Sequence, residues 1–451
     1  MEQRMLWNPK IELMSEDEMR ALQLKRLKKQ VAYNYRRSEF YKKKFDSAGI
    51  KPADIQSFED FQHVSLMTKE EHRRTQKESL KRFGHPYGLL ACAPREKIVR
   101  INSTSGTTGI PTLYTLTKHD VKVVNEMHAR KYWRAGIRPG DVMIQALSLS
   151  MFTGGLPLSE GIQHMGACVV PVGIEGGTRR VIDFIHLTSP VAIIATPSFG
   201  EYLIEQAPKL TGRPASELGF RWFFCAAEPG GGDPQMRKKL SDGFGGAMVF
   251  DHTGGGHAFH GISCNQPAEE SKGMHFVSED HCLLELVDAK TKEPVEIADG
   301  ASGEMVFTFL DWEGGPFMRY ALGDILKVWT EPCSCGMPGK RFKIIGRADD
   351  MLIVKGVSIY PGAIKSAVEH FFPLVTGAVR IVLDKPGPSV TPPLKIRLEY
   401  AEGSDKSKIP TLESSMIQYF KENFRITPKF IWVEPGSIQR ETKKSKLVEI
   451  L

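Results

Sequence analysis

The chain has 451 residues, 41% of them hydrophobic and 25% charged, with a formal net charge of +7. That balance is globular and excludes a disordered or fibrous chain, and no apolar run reaches the ~18 residues of a membrane-spanning helix. Seven cysteines in so long a chain speak for reduced thiols rather than a disulfide framework, and the opening MEQRMLWNPK lacks the apolar stretch of a secretory signal, so a cytoplasmic protein is expected.

Ser15 and Glu18 have capping-box spacing. Leu24, Leu27, Val31 and Tyr35 follow on one helical face, predicting an N-terminal helix that runs to about Ala48. Its polar side carries the basic excess, including Lys25, Arg26, Lys28 and Lys29. No nucleic-acid-binding module accompanies these charges. Anionic small molecules are therefore the expected partners, not nucleic acid or membrane.

Residues 102–112, NSTSGTTGIPT, combine two glycines, a proline and six hydroxyl side chains. Glycines allow tight turns and close backbone approach to phosphate, and hydroxyls with exposed N–H groups supply donors to anionic oxygens. The lysine-bearing Walker pattern is absent. From about Thr117 short apolar runs at 142–147, 167–172, 191–196, 222–226 and 247–250 alternate with helical stretches. This predicts βαβ units and a largely parallel sheet covered on both faces. After Gly273, HCLLELVD and GEMVFTFL predict an antiparallel β-rich subdomain. A boundary is expected near Gly346–Asp349, followed by a small α+β domain of about one hundred residues. Its helices are expected from about Pro361 and over 410–424, and its strands at 379–383, 394–400 and 430–434. The tail 440–446 is basic. Cys333 and Cys335 form a tight pair of soft ligands, and with Cys264 and His275 upstream they fit a closed tetrahedral zinc site of structural role; buried free thiols are the alternative.

STSGTTGIPT resembles the phosphate loop of the adenylate-forming superfamily, and the surrounding chain resembles its phenylacetate–CoA ligase family. The resemblance rests on FTGG at 152–155, AAEP at 226–229, EDH at 279–281, MRYALGD at 318–324, GRADDMLIVKGVSIYP at 346–361 and the lysine tail, in that order. It implies an α/β fold with a large N-terminal domain (1–346) and a small mobile lid (347–451). It also implies an ATP-dependent ligase that forms an acyl-adenylate and passes the acyl group to coenzyme A, releasing AMP and pyrophosphate. A homodimer is compatible with it.

Carried over residue by residue, the resemblance puts Ser103, Thr104, Ser105, Gly106, Thr107, Thr108 and Gly109 around phosphate. Ala227, Glu228, Pro229 and Asp251 fall beside the adenine, and Asp324 on the ribose hydroxyls. Arg347 and Lys355 are nucleotide contacts, Asp349 is the hinge and Lys444 the cation at the reacting phosphate. Phe152, Gly154, Ser159, Glu160, Gly254 and Gly255 would line the acid. The chain also departs from the family's pattern. Ile110 stands where lysine is usual. Thr253 replaces a tyrosine, and His257 replaces a glutamate that would reach magnesium, for which imidazole is a poorer ligand. Magnesium is still expected with ATP. Ser159-Glu160-Gly161 and Gly230-Gly231-Gly232 replace aromatic positions. Such replacements favour a small polar acid, of the kind taken by 2-hydroxyisobutyrate–CoA ligase, over an aryl acid such as phenylacetate. A non-catalytic nucleotide-binding protein, an adenylating enzyme with a carrier-protein acceptor and a zinc-containing nucleic-acid binder remain rival readings. The first draws on Ile110 and His257, the last on charge and the cysteine pair.

Overall fold

The computed structural model describes residues 6–103, 111–267, 270, 272–348, 350–354, 357–439 and 447–451. The capping box forms as expected, with the Ser15 hydroxyl and the Glu18 carboxylate each satisfying the other's backbone N–H. The N-terminal helix, however, is two helices, Glu16–Arg37 and Glu39–Ser47. Ser38 divides them. Its backbone is extended, its hydroxyl accepts the Tyr41 N–H at 3.3 Å, and the same hydroxyl donates to Leu89 O at 2.7 Å. A serine that satisfies a fresh helix start in this way competes with helix continuation.

The five apolar runs form parallel strands. Their spatial order is Met248–Thr253, Trp222–Cys225, Ala192–Ala195, Val142–Gln145 and Cys168–Val170. Ala192–Ala195 and Trp222–Cys225 are buried at every position, with one apolar cluster on each side of the sheet. The antiparallel strands are not a separate sheet. Met248–Thr253 pairs antiparallel with Gly261–Ile262, and pairing continues through Met274–Phe276, Arg341–Arg347, Tyr320–Trp329, Ser302–Phe309 and Cys282–Val287 in one 13-stranded sheet. The turn through Gly254–Gly256 supplies this join and leaves the last parallel strand without an open edge.

The EDH segment is architectural. Asp280 is buried and accepts two bonds from the Arg130 guanidinium, at 2.7 and 3.2 Å, while Arg26 of the first long helix reaches the Asp280 backbone carbonyl. Three distant segments are thereby tied by charge-assisted hydrogen bonds.

Beyond residue 351 a second core gathers Leu352, Ile364, Val379, Ile396 and Phe420. It lies on a four-stranded sheet ordered Lys429–Val433, Lys395–Tyr400, Val375–Leu383, Val448–Ile450. Helices Pro361–Glu369 and Ile409–Phe424 fall where the sequence predicts them. This unit meets the larger one through Lys239, whose ammonium bonds Glu201 at 2.6 Å, reaches Thr376 O at 3.3 Å and lies over the Phe372 ring. Nearby, Lys365 pairs with Glu369 on its own helix. Among the described residues no helix is long and apolar enough to cross a membrane.

Candidate active site

Thr104 to Ile110 lie outside the described residues, but both ends of the loop are placed. Strand Ile98–Ser103 pairs antiparallel with Leu113–Thr117, setting Ser103 opposite Leu113. The Ser103 N–H donates to Met151 O at 2.8 Å, and Ser103 bridges Phe152. Asn102 and Ser103 are buried, and Asn102 Nδ2 and Ser103 Oγ have no partner among the described residues. Buried donors without partners are rare in a folded protein, and here they stand at the root of the predicted phosphate cradle.

The predicted acid-lining segments meet at that root. A Cβ on Gly255 would lie 2.1 Å from Thr153 O, and one on Gly256 would lie 1.8 Å from Asn102 Nδ2. Only glycine lets the 253–256 turn lie backbone to backbone on Phe152–Gly155 and on the loop root. Gly254 adopts a positive φ of 101° there. Behind the wall, Gln145 Nε2 donates to Gly155 O at 2.9 Å, and the buried Ser159 hydroxyl donates to Gln145 Oε1 at 2.5 Å. Glu160 is held by Arg100. The polar groups of Ser159 and Glu160 are thus engaged within the wall.

Lys131, fully buried on helix Lys118–Ala135, donates to Thr253 O at 3.1 Å and to Gly254 O at 3.2 Å. Burial pushes its pKa well below the usual lysine range. His257 continues the turn with its ring tilted beside Tyr114. Burial, and then the nearby Lys131 charge, lower its pKa to about 4.

Asp324 and Arg347, on the predicted nucleotide side, face each other across antiparallel strands, with the guanidinium donating to the carboxylate at 2.8 Å. Asp251, the last residue of strand Met248–Thr253 in parallel register with its neighbour, sets its carboxylate against Gly231 and Gly232, where any Cβ would lie within 2.7 and 2.9 Å of its oxygens. The glycine run at 230–232 is therefore the space that this carboxylate occupies. Burial raises the Asp251 pKa to about 6, against the pull of Lys343 and Arg237. Ala227 holds a left-handed φ of 72°, a costly conformation for a residue with a Cβ and one that gathers at functional sites. Glu228 next to it accepts the Ser198 N–H at 2.6 Å, and Pro229 faces Gly362 of the second unit. Tyr114 lies within electrostatic range of both Asp324 and Arg347, with burial raising its pKa. It thus stands between the nucleotide side and His257.

Cys264, His275, Cys333 and Cys335 come together, with all four ligand atoms within 4.8 Å of one another. Cys264 Sγ and Cys333 Sγ are 3.9 Å apart, and Cys335 Sγ lies 3.3 Å from His275 Nε2. Tetrahedral zinc with ordinary bond lengths sets such pairs about 3.8 and 3.6 Å apart. His275 Nδ1 lies 3.3 Å from Pro338 O. That carbonyl fixes the tautomer and leaves Nε2 for a metal, the usual outer support of a metal-binding histidine. The four residues fit zinc.

Lys355, Asp349 and Lys444 lie outside the described residues. Asn102, Tyr114, Lys131 and Gln145 did not emerge from the sequence. The available signal for one of them was His128 and Lys131, one turn apart on the buried face of a helix.

Residues 356–449 match the family model described as AMP-binding enzyme C-terminal domain. The chain is 34% identical to phenylacetate–coenzyme A ligase of Thermus thermophilus, covering 99% of both proteins. It is 30% identical to the enzyme of the same name from Aromatoleum evansii, over 96% of this chain and 94% of that one. Among solved structures it is similar to 2-hydroxyisobutyryl-CoA ligase in the postadenylation state with 2-HIB-AMP, at TM-score 0.87 and 25% identity over 99% of this chain and 93% of the other. Against that ligase in the thioesterification state with 2-HIB-AMP and CoA, the TM-score is 0.70 at 26% identity, over 99% and 92%.

Proposed function

Since the chain belongs to the phenylacetate–coenzyme A ligase family of adenylate-forming enzymes, we propose that it activates a small, polar carboxylic acid in the cytoplasm. It is an AMP-forming acid–CoA ligase. A carboxylate oxygen of the acid attacks the α-phosphorus of magnesium–ATP, the bond to the bridging oxygen breaks and pyrophosphate leaves. The coenzyme A thiolate then attacks the acyl carbon and AMP leaves. In the first step charge builds on phosphate oxygens, and donors fixed in advance stabilise it.

One observation carries the choice of acid: the 253–256 turn lies against Phe152–Gly155 with no room for even a methyl group between them. The wall that the aromatic positions would have built is backbone, backed by Gln145, Ser159 and Lys131. Such a wall suits a short acid with polar groups that need partners. The test is CoA-dependent AMP release across a panel of acids. We expect 2-hydroxyisobutyrate and similar short hydroxy acids to turn over faster than phenylacetate. Faster turnover of phenylacetate would return the enzyme to the aryl-acid reading.

The domains divide near 346/347, with Asp349 as the hinge and Lys444 as the cation at the reacting phosphate. The higher TM-score against the postadenylation state than against the thioesterification state supports a second unit that changes position between half-reactions. Lys444→Ala should lose roughly 10²-fold in acyl-adenylate formation while sparing thioester formation from preformed acyl-adenylate. Equal loss in both steps would remove Lys444 from the role. The cysteine–histidine tetrad holds a structural zinc, since none of its four positions is left open for substrate.

A further inference from the structure

The sequence resemblance sets His257 at a position where a carboxylate would reach magnesium, and its geometry does not suit a metal ligand. Its Nδ1 accepts the Phe259 N–H at 3.2 Å. A nitrogen that accepts carries no proton, so the neutral ring carries its proton on Nε2. Nδ1 has thus spent its lone pair on the backbone, and Nε2 has none to give. Magnesium requires an oxygen or another free lone pair. The surrounding elements hold the ring in this state. The His260 ring donates to the His257 carbonyl at 2.6 Å, Lys131 anchors the preceding turn through the Thr253 and Gly254 carbonyls, and Tyr114 covers one side.

Nε2 makes no hydrogen bond among the described residues, and the residue as a whole is only partly buried. The preceding residue, Gly256, presses on Asn102 at the root of the phosphate loop. An N–H without a partner at this corner is a donor waiting for an acceptor.

We infer that His257 is a neutral hydrogen-bond donor, through Nε2–H, to an oxygen of the acyl-phosphate group, and that it offers magnesium no ligand. The inference rests on the ligase reading above, and it assigns to this residue a task that needs no metal. An ion entering with ATP would take phosphate and water, not His257, as its ligands at this corner.

The test measures binding of 2-hydroxyisobutyryl and phenylacetyl sulfamates of adenosine, unreactive mimics of the acyl-adenylate, by calorimetry with and without magnesium. AMP serves as the control for the nucleotide site. His257→Gln keeps an N–H at comparable reach, and His257→Met keeps the volume without a donor. We expect His257→Met to lose about tenfold or more in mimic affinity, equally in EDTA and in magnesium, and His257→Gln to stay within about threefold of the parent. A loss confined to magnesium-containing buffer would make His257 a metal ligand and overturn the inference, as would no loss at all. If the parent protein bound AMP but neither mimic, the acid–CoA ligase reading would fail instead. Should His257→Met not fold, ring nitrogen shifts of the ¹⁵N-histidine-labelled parent, assigned with His257→Gln, read the tautomer directly, and a proton on Nδ1 would refute the proposal.

Discussion

Arg347 and Asp324, the proposed nucleotide contacts, orient one another. The guanidinium sits 2.8 Å from the carboxylate and also reaches Leu322 O at 3.2 Å, so the carboxylate is oriented before any ligand arrives. Arg347→Met removes a charge-assisted partner, a kind of bond worth about 1.5–3 kcal/mol. AMP affinity should then fall at least about tenfold by calorimetry, and an unchanged affinity would show that the pair is only architectural. At this scale the sequence was uneven. Asp324 and Arg347 stand out because one closes a recognisable motif and the other lies at the start of the next. The engagement of Glu160 by Arg100 was hidden, because the helix residue's partner lies 60 residues away on a strand. Lys131 was hidden too, since a lysine in a helix ordinarily reads as solvated and only the packing reveals what surrounds it.

At the scale of elements, Gly161 governs how two helices cross. A Cβ there would stand 2.2 Å from His128 Cβ, so helix Leu156–His164 can approach Lys118–Ala135 only through a glycine. Gly161→Ala should cost about 1–3 kcal/mol by overpacking, read as a shift in the denaturation midpoint, and Gly161→Leu should abolish soluble expression. The strand–helix alternation was legible in the sequence because buried parallel strands are apolar along their whole length. The merging of parallel and antiparallel halves into one sheet was not, because it depends on a glycine turn whose role is to fit against another backbone. The zinc tetrad was legible as ligand types, although its assembly needed strand Met274–Phe276 to pair with Arg341–Arg347. Metal analysis of the purified protein should find about one zinc per chain. Cys335→Ser should lower both the zinc content and the melting temperature, and a zinc-free parent of unchanged stability would refute the site.

For the molecule as a whole, six described histidines are held neutral mainly by burial. His72 is lowered to about 3, His257 and His281 to about 4, and His128, His252 and His260 well below the ordinary range. In the unfolded chain each binds a proton near pH 6.5. As pH falls below 6.5 the unfolded state therefore takes up more protons and stability is lost. Four buried carboxyls act in the opposite sense: Glu369, raised to about 7, Asp120 and Asp251, raised to about 6, and Glu285, raised by burial. The imidazoles outnumber them, and paired acids such as Asp280 and Asp311 reinforce the loss. The melting temperature should drop between pH 6.5 and 4. A flat profile in differential scanning fluorimetry would show that these rings titrate in the folded protein as freely as in the unfolded one.

The contact between the two cores is built from ions that already have partners on their own side, Lys239 with Glu201 and Lys365 with Glu369. The Lys239 bond to Thr376 O and its seat over Phe372 cross the divide, as does the approach of Pro229 to Gly362. Parting the halves thus strands no charge. It wets two couples that remain neutralised, and water takes over the Thr376 carbonyl. A seam of this kind can be unfastened and refastened without storing a debt of unpaired ions in either position.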